Sequence, residues 1–153
     1  MSMVATTSRF GSIEYQEEDV LTFAEGPYGF PDLRRFVILE HKPGSPFRWL
    51  QSLDEPGIAF LIISPTQLFP DYTPSISEES AKSISLTASD PVLVNVVVTI
   101  PQGNPEAMTA NLAGPIIINP KTREARQIIV EEGQYGTKHS IMDALNALTK
   151  TAA

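Results

Sequence analysis

Residues that could carry out chemistry are few in this chain of 153 residues. Its two histidines, His41 and His139, lie far apart in sequence, and no second histidine near either suggests a pair of metal ligands. Cysteine is absent, which removes thiol catalysis and cysteine-bound zinc. No G-x-S-x-G segment supplies a nucleophilic serine, although a Ser-His-Asp arrangement assembled by the fold stays open. We therefore expect no metal site, no cofactor and no enzymatic activity.

Two further patterns resemble reactive sites but have simpler interpretations. The segment GPYG (26–29) lacks the spacing and the following Lys-Ser/Thr of a phosphate-binding loop. Its glycines, Gly26 and Gly29, are expected to serve a tight turn that needs positive φ. Adjacent acidic residues occur at 17–19, 78–79 and 131–132. Neighbours on a strand or turn point in different directions, so we interpret them as solvated edges and not as paired catalytic carboxylates.

The formal charge of −7 argues against direct nucleic-acid binding, because a phosphate-reading surface needs clustered Lys and Arg. Acidity of this size suits a basic protein partner, or serves solubility alone. The N-terminus is unlike a secretory signal, and no apolar run approaches the roughly 20 residues that span a bilayer. Together with the absence of cysteine, these features predict a soluble cytoplasmic protein.

Short runs rich in β-branched and aromatic residues, bounded by Gly, Pro, Asn or Asp, predict a mainly β chain. The 13 prolines lie nearly all between these runs. The expected strands are FGSIEY, DVLTF, FVILE (36–40), FRWLQS (47–52), IAFLII (58–63), PVLVNVVVTI (91–100), PIIIN (115–119) and RQIIVE (126–131). About eight strands at this spacing favour a barrel or sandwich. We expect residues 1–153 to form one small antiparallel β-barrel-like domain, with an ordered core of about 8–149 and short flexible termini.

Two segments have helical patterns. Residues 75–83 (SISEESAKS) suggest a capping box, with Ser75 followed three residues later by Glu78. The segment SIMDALNALTK places Ile141, Leu145 and Leu148 on one face, with Ser140 as its N-cap. This second helix is expected to pack across the barrel, and the final TKTAA is expected to fray.

Three features suggest contact surfaces or their structural alternatives. Trp49 is interpreted as a core residue, because it buries a large area. The loop QLFPDYTP carries Phe69, Asp71 and Tyr72 between prolines, which is typical of an interaction surface and equally of local loop packing. The stretch TANLAGPIIINPKTREARQIIV (109–130) predicts a hairpin with a solvated tip. Asn111 at its start is interpreted as a loop pin that bonds neighbouring backbone groups.

Taken in order, several segments resemble the bacterial flagellar assembly factor FliW family. They are GPYGFPDLRRFVILE, SPFRWLQSLDEPGIAFLIISP, FPDY, VVVTIP, MTANLAGPIIINPKTREARQIIV and QYGTKHSI. Each is weak alone, but their order and spacing over residues 10–142 are specific. One departure is the turn, where Pro27 and Tyr28 stand in reverse order to the family pattern.

The resemblance implies a β-barrel-like cytoplasmic protein without catalytic activity that is a monomer when free. It implies two protein partners, flagellin and the RNA-binding translational regulator CsrA, and a role that couples flagellin export to flagellin translation. By position in the matching segments, the expected partner-binding residues are Phe69, Asp71, Tyr72, Asn111, Asn119, Gln51 and Ser52. The alternatives are a small-molecule-binding β-barrel or minor hydrolase, and a structural subunit of a larger machine.

Overall fold

The structure is a computed structural model that describes residues 2–87 and 89–152, with 11 strands and two α-helices among them. The strands are β1 (Ser2–Thr7), β2 (Gly11–Gln16), β3 (Leu21–Phe23), β4 (Arg35–Glu40), β5 (Phe47–Ser52), β6 (Ala59–Ile63), β7 (Leu93–Thr99), β8 (Thr109–Ala110), β9 (Ile116–Ile118), β10 (Glu124–Gln127) and β11 (His139–Ser140). The helices are α1 (Glu78–Ser83) and α2 (Ile141–Ala152). The predicted mainly β fold with short helices is confirmed.

Seven strands close into a barrel. They run β7, β6, β5, β4, β3, β10 and β9, and the pairing of Leu93 with Ile118 joins β7 to β9 and closes the ring. Neighbouring strands of the ring are antiparallel except β3 and β10, which pair in parallel at Thr22 and Glu124. Outside the ring, β8 pairs with the end of β7, and β11 pairs with β8. The barrel prediction is confirmed, with one parallel pair that it did not contain.

Side chains fill the centre of the barrel. Successive side chains of a strand point to opposite faces, so the inward set from each strand of a closed ring meets in the middle. Phe23, Phe36 and Leu50 are fully buried there, and the rings of Phe23 and Phe36 meet edge to face with centroids 5.1 Å apart. Leu21, Ile62, Ile116, Ile118 and Ala125 complete this cluster. A filled centre disfavours the alternative of a small-molecule-binding barrel, which needs that space for its ligand.

A second apolar layer covers the outer face of β6 and β7. Leu61, Ile63, Val96 and Val98 point outward there and pack against α2 and the loop that follows β6. The first residue of α2, Ile141, is completely buried in this layer. The predicted packing of a C-terminal helix across the barrel therefore agrees with the structure, and the helix and loop stand side by side over one patch of the sheet.

The face of α2 differs slightly from the predicted one. Ala144 and Leu148 pack on the outer layer together with Ile141, whereas Leu145 is 40% exposed. Leu145 was wrongly assigned to the buried face, because that face is centred between Ala144 and Leu148 and Leu145 lies at its margin. The predicted cap is present, since the Ser140 hydroxyl oxygen accepts a hydrogen bond of 3.1 Å from the Asp143 N–H. The helix continues to Ala152 through most of the segment expected to fray, and Ala153 lies outside the described residues.

Helix α1 begins two residues after its predicted start. Its N-cap is Ser77, whose hydroxyl oxygen accepts a 3.1 Å hydrogen bond from the Ser80 N–H. The predicted capping box of Ser75 and Glu78 is therefore wrong. The physical reason is a tertiary contact: the Ser75 N–H donates to the Glu132 carboxylate at 2.9 Å, which holds Ser75 in the preceding loop.

The predicted hairpin of 109–130 is confirmed, with β9 and β10 in antiparallel register at Ile118 and Ala125. Strand β10 was expected over 126–131, but its regular pairing ends at Gln127. The register nevertheless continues, because the N–H groups of Ile128 and Val130 donate to the carbonyls of Pro115 and Ala113, both at 2.9 Å. Pro115 has no N–H to return a bond, so only half of the ladder can form there.

Strand β1 lies ahead of residue 8, where the ordered core was expected to begin, and pairs with β2 as a separate two-stranded sheet. The turn between them carries Arg9, whose guanidinium lies 4.4 Å from the Trp49 ring centroid. Phe10 meets Trp49 edge to face at 5.7 Å. Trp49 was predicted in the core, but it is half-buried on the outer face of β5 under this turn. The electron-rich face of the Trp49 ring attracts the Arg9 guanidinium, and this cation–π contact stabilises Trp49 in its half-buried position.

The turn GPYG uses its two glycines for different reasons. Gly29 has the expected positive φ, +90°, which favours glycine. Gly26 is needed for space, because a Cβ atom there would lie 2.1 Å from the Phe30 carbonyl oxygen and 2.3 Å from that of Leu33. The backbone also closes on itself here, with the Phe30 N–H donating to the Pro27 carbonyl at 2.7 Å.

Candidate protein-binding groove

The loop after β6 holds three of the predicted partner-binding residues, Phe69, Asp71 and Tyr72. A 3-10 turn begins at Pro65, whose carbonyl accepts hydrogen bonds from the N–H groups of both Leu68 and Phe69. The Tyr72 N–H donates in turn to the Phe69 carbonyl at 2.9 Å. These local bonds define the course of the loop, so its side chains leave in set directions.

Tyr72 points inward and forms part of the wall of the site. It is only 4% exposed, and its hydroxyl donates a 2.7 Å hydrogen bond to the Leu112 carbonyl. Its ring meets Tyr135 edge to face, with centroids 4.7 Å apart. Burial, with smaller contributions from Tyr135 and Glu132, raises the pKa of the Tyr72 phenol well above its usual value. The phenol is therefore neutral and acts as a hydrogen-bond donor at any physiological pH.

Phe69 is half-buried and lies against the segment that leads into α2. Its ring meets the His139 imidazole nearly edge-on, with centroids 6.0 Å apart. The Nε2 atom of His139 accepts a 2.7 Å hydrogen bond from the Gly136 N–H. This hydrogen bond from the turn at Gly136 sets the orientation of the His139 ring.

An open groove of about 590 Å³ lies between this loop and α2. We call it the loop–helix groove. Its apolar floor comes from the loop and from the 112 and 135 positions, and its far wall comes from α2. The lining residues are Leu68, Phe69, Pro70, Asp71, Tyr72, Leu112, Gln134, Tyr135, His139, Ser140, Asp143, Ala144 and Ala147. Small residues on the helix wall leave room for a partner to approach closely.

Two carboxylates line opposite sides of the loop–helix groove. Asp71 belongs to the loop and Asp143 to the first turn of α2, and both are exposed. Among the residues that the structure describes, neither takes part in an ion pair. The nearest lysine or arginine in sequence is Lys82 for Asp71 and Lys138 for Asp143. An apolar floor between unpaired acids can bind an apolar side chain flanked by a basic group.

Asn111 was predicted to stabilise a loop by bonding neighbouring backbone groups, and it does so in the loop behind the groove. Its side-chain oxygen accepts hydrogen bonds from the N–H groups of Ala113 and Gly114 at 3.1 Å and 2.9 Å. The N–H groups of Leu112 and Ala113 both donate to the Gly136 carbonyl at 3.0 Å. Asn111 thereby positions Leu112 in the groove floor, which confirms the structural interpretation of this residue.

Gln51 and Ser52 are buried and organise the turn after β5. The Gln51 side-chain nitrogen lies within hydrogen-bond distance of the carbonyls of Ser52, Pro56 and Ile58 at 2.9, 3.2 and 3.1 Å. The Ser52 hydroxyl oxygen accepts from the N–H groups of Asp54 and Glu55. Neither residue lines the loop–helix groove, and a partner docked on this surface does not reach their side chains.

Asn119 is likewise buried, at the end of β9 on another side of the barrel. Its side-chain nitrogen donates to the Ile84 carbonyl at 2.8 Å, and its oxygen accepts from the Lys121 N–H at 2.9 Å. It thereby ties the hairpin tip to the end of α1. The structure thus brings Phe69, Asp71 and Tyr72 together at the groove, with Asn111 directly behind them and Asn119 elsewhere.

The sequence reasoning missed the α2 side of the groove. Tyr135 and His139 were present in the QYGTKHSI segment, but nothing local indicates that they meet the loop at 68–72. Asp143 and Ala144 follow Ser140 in a helix that was predicted from its N-cap and its apolar face alone. A useful signal was available in that helix: its small residues, Ala144 and Ala147, share one side with Ser140 and Asp143.

No group of three or more potential metal-binding side chains occurs among the described residues. No helix within the described residues is long and apolar enough to cross a membrane.

Comparison with known proteins agrees with this architecture. The family model described as FliW protein matches residues 4–141, a span that includes the barrel, the groove loop and the first residue of α2. The chain belongs to the FliW family. The earlier resemblance is therefore confirmed, and the family match extends it toward the N-terminus.

Individual FliW proteins are similar over nearly the whole chain. The flagellar assembly factor FliW of Caldanaerobacter subterraneus is 43% identical over 144 residues, which cover 94% of this chain and 95% of that protein. The FliW of Bdellovibrio bacteriovorus is 40% identical over 143 residues, covering 94% and 81%. A crystal structure of the flagellar assembly factor FliW superposes with a TM-score of 0.82 at 32% identity, covering 91% of this chain and 96% of that one.

Proposed function

We propose that this chain is a cytoplasmic flagellar assembly factor that binds flagellin and antagonises CsrA. In this function flagellin occupies the protein until it is exported. The freed protein then binds CsrA, an RNA-binding translational regulator, and flagellin translation resumes. Membership of the FliW family and the names of its relatives support an assembly role. The two partners come from the family resemblance of the sequence.

The observation that carries the proposal is the loop–helix groove, whose apolar floor lies between two carboxylates that form no ion pair within the described part of the chain. Apolar anchors dominate the affinity of protein interfaces, and charges around them set the association rate and the choice of partner. The net charge of −7 favours the basic regulator over the RNA that it binds. The protein thus acts on CsrA itself.

Within this proposal the expected residues have two roles. Phe69 and Asp71 contact the partner, because both line the groove and are at least partly accessible. Tyr72 and Asn111 hold the floor in position through Leu112. The buried residues Gln51, Ser52 and Asn119 act through the turns that they stabilise, and the free chain is a monomer.

Calorimetric titration with purified flagellin and CsrA from the same bacterium tests the proposal. We expect saturable heat and a complex of defined size with each partner, and release of CsrA when flagellin is added. The RNA target of CsrA, titrated alone, provides the control and should give no heat. The absence of a complex with both proteins would refute the proposed function.

A further inference from the structure

The segment after β10, residues 128–131, forms backbone hydrogen bonds along one edge, whereas the backbone groups of its other edge have no partner among the described residues. On the inner edge, Ile128 and Val130 donate hydrogen bonds to Pro115 and Ala113, as described above. Backbone groups of successive residues in a strand point to alternate sides. The N–H and carbonyl groups of Ile129 and Glu131 therefore point away from that hairpin, toward the side where β3 would lie.

Strand β3 does not extend far enough to cover this edge. It pairs with β10 only at Glu124 and Ala125 and ends at Phe23, after which the chain turns away through Gly26. Among the described residues, no group donates to or accepts from the backbone of Ile129 or Glu131. Two successive outward positions of an extended segment are thus free, which is the arrangement found at an unpaired sheet edge.

A cleft of about 610 Å³ runs along this segment, and its other wall comes from the start of α1. The residues that line it are Ser75, Ile76, Ser77, Ser80, Ile128, Ile129, Val130, Glu131 and Glu132. Ile129 is 65% exposed between the buried residues Ile128 and Val130. One carboxylate oxygen of Glu132 is shielded from solvent and has no hydrogen-bond partner in the structure, so a polar group of this cleft is left unsatisfied.

Proteins usually protect such an edge with a proline, a lysine or a bulge, because an open edge pairs with other chains. This edge has the exposed Ile129, and its two glutamates repel acidic chains but leave the edge open to a basic one. We propose that residues 129–131 accept an extended, basic segment of a partner protein as an added strand. This second interaction surface is separate from the loop–helix groove and goes beyond the function proposed above.

Charge decides the kind of partner. Glu131 and Glu132 lie on the segment itself, and Glu78 and Glu79 begin α1 next to the cleft-lining Ser77 and Ser80. The basic side chains nearest in sequence are Lys82 at the end of α1 and Arg126, which lines a neighbouring cleft with Glu25. The balance at this edge is negative. Two copies of the acidic chain would repel each other, whereas lysine or arginine alternating with apolar residues would pair with the glutamates and cover Ile129.

The substitution Ile129→Pro tests this surface without removing an internal hydrogen bond. Proline lacks the N–H that an added strand needs, but the N–H groups that hold the hairpin belong to Ile128 and Val130. Ile129→Thr is the matched control, because it shortens the apolar side chain and keeps the N–H. Circular dichroism and thermal unfolding of both variants verify that the fold is retained.

The probe is a capped peptide of alternating lysine and valine, with a glutamate–valine peptide of equal length as the charge control. We expect the lysine peptide to slow amide hydrogen exchange at Ile129 and Glu131 by roughly tenfold or more in the wild-type chain. Ile129→Thr should still bind the peptide, and Ile129→Pro should not. Equal binding by Ile129→Pro, equal binding of the glutamate peptide, or no protection at these two amides would overturn the inference.

Titrations of Ile129→Pro with flagellin and CsrA separate this inference from the proposed function. A partner that binds the wild-type chain and is lost only with Ile129→Pro occupies the edge, which supports the inference. If flagellin and CsrA both fail to bind the wild-type chain while the lysine peptide protects Ile129, the proposed function fails and the edge site stands.

Discussion

Tyr72 and Leu112 are 40 residues apart in sequence, and the Tyr72 hydroxyl donates a 2.7 Å hydrogen bond to the Leu112 carbonyl. This single bond joins the groove loop to the segment that Asn111 holds in place. Both residues are buried, and both line the loop–helix groove. The shape of the groove therefore depends on a contact that no local sequence pattern specifies.

Replacing Tyr72 by Phe should destabilise the protein by about 1–3 kcal/mol, because the buried Leu112 carbonyl loses its donor. Urea unfolding followed by circular dichroism measures the change. Tyr28→Phe is the control, since Tyr28 is 57% exposed and should lose little. Equal stability of the Tyr72 variant and the wild-type chain would contradict the importance of this bond.

Stability should also fall in alkali in a way that depends on Tyr72. Burial raises the folded-state pKa of its phenol above the usual value of 10.0, so the folded chain holds this proton more tightly than the unfolded chain. The resulting stability is fully present below pH 10 and is lost as the pH rises from there toward the folded pKa. Urea midpoints at increasing pH should decline more steeply for the wild-type chain than for Tyr72→Phe. Parallel curves would argue against the raised pKa.

Phe69→Ala should weaken the binding of a partner that uses the loop–helix groove by roughly tenfold or more, because an aromatic anchor is lost from its floor. Calorimetry with flagellin and CsrA measures the affinity. Leu145→Ala is the matched control, since Leu145 is similarly apolar, 40% exposed and outside the groove lining. If the two variants bind alike with both partners, Phe69 has only a local packing role.

Asp71→Lys should slow association with the basic regulator and reduce its salt dependence while the fold persists. The exposed Asp32 supplies a control, because Asp32→Lys changes the net charge equally at a site outside the groove lining. Stopped-flow association at several salt concentrations compares the two variants. Equal slowing in both would mean that net charge alone, and not the position of Asp71, governs the encounter.

Gly26→Ala should destabilise the fold by about 1–3 kcal/mol, because its Cβ would meet the carbonyl oxygens of Phe30 and Leu33 at distances of 2.1 and 2.3 Å. Gly57→Ala is the matched control, since the nearest atom to its Cβ would be a Glu55 carboxylate oxygen at 3.6 Å. Thermal unfolding compares the variants. A melting temperature for Gly26→Ala equal to that of Gly57→Ala would contradict the close approach.

Elements that depend on local chemistry were predictable from the sequence. β-branched runs marked most of the barrel strands, and the cap at Ser140 was correct because its partner, Asp143, lies three residues away. The start of α1 was misplaced because a distant residue, Glu132, binds Ser75. Strand β1 was missed because, within the described residues, it pairs with β2 alone and packs outside the barrel, so no buried alternation marks it.

The candidate site likewise contains residues that a local sequence pattern indicates and residues that only long-range contacts bring to it. Phe69 and Asp71 stood out because prolines and aromatics on a short loop are a local signal. Their neighbours in space, Tyr135, His139 and Asp143, come from a segment about 70 residues later, and only the folded sheet brings them together. The burial of Gln51 and Asn119 was equally hidden, because an amide that satisfies backbone groups cannot be distinguished by residue type from one that binds a partner.

The parallel pairing of Thr22 with Glu124 also has a consequence for biosynthesis. Strand β3 leaves the ribosome long before its partner β10, so the ring stays open while most of the chain is made. During that interval Leu21 and Phe23 lack the β10 side of the core that later buries them. The hairpin of β9 and β10 is therefore the last part of the barrel to pair. Until it does so, each nascent chain has an exposed sheet edge that other chains can bind.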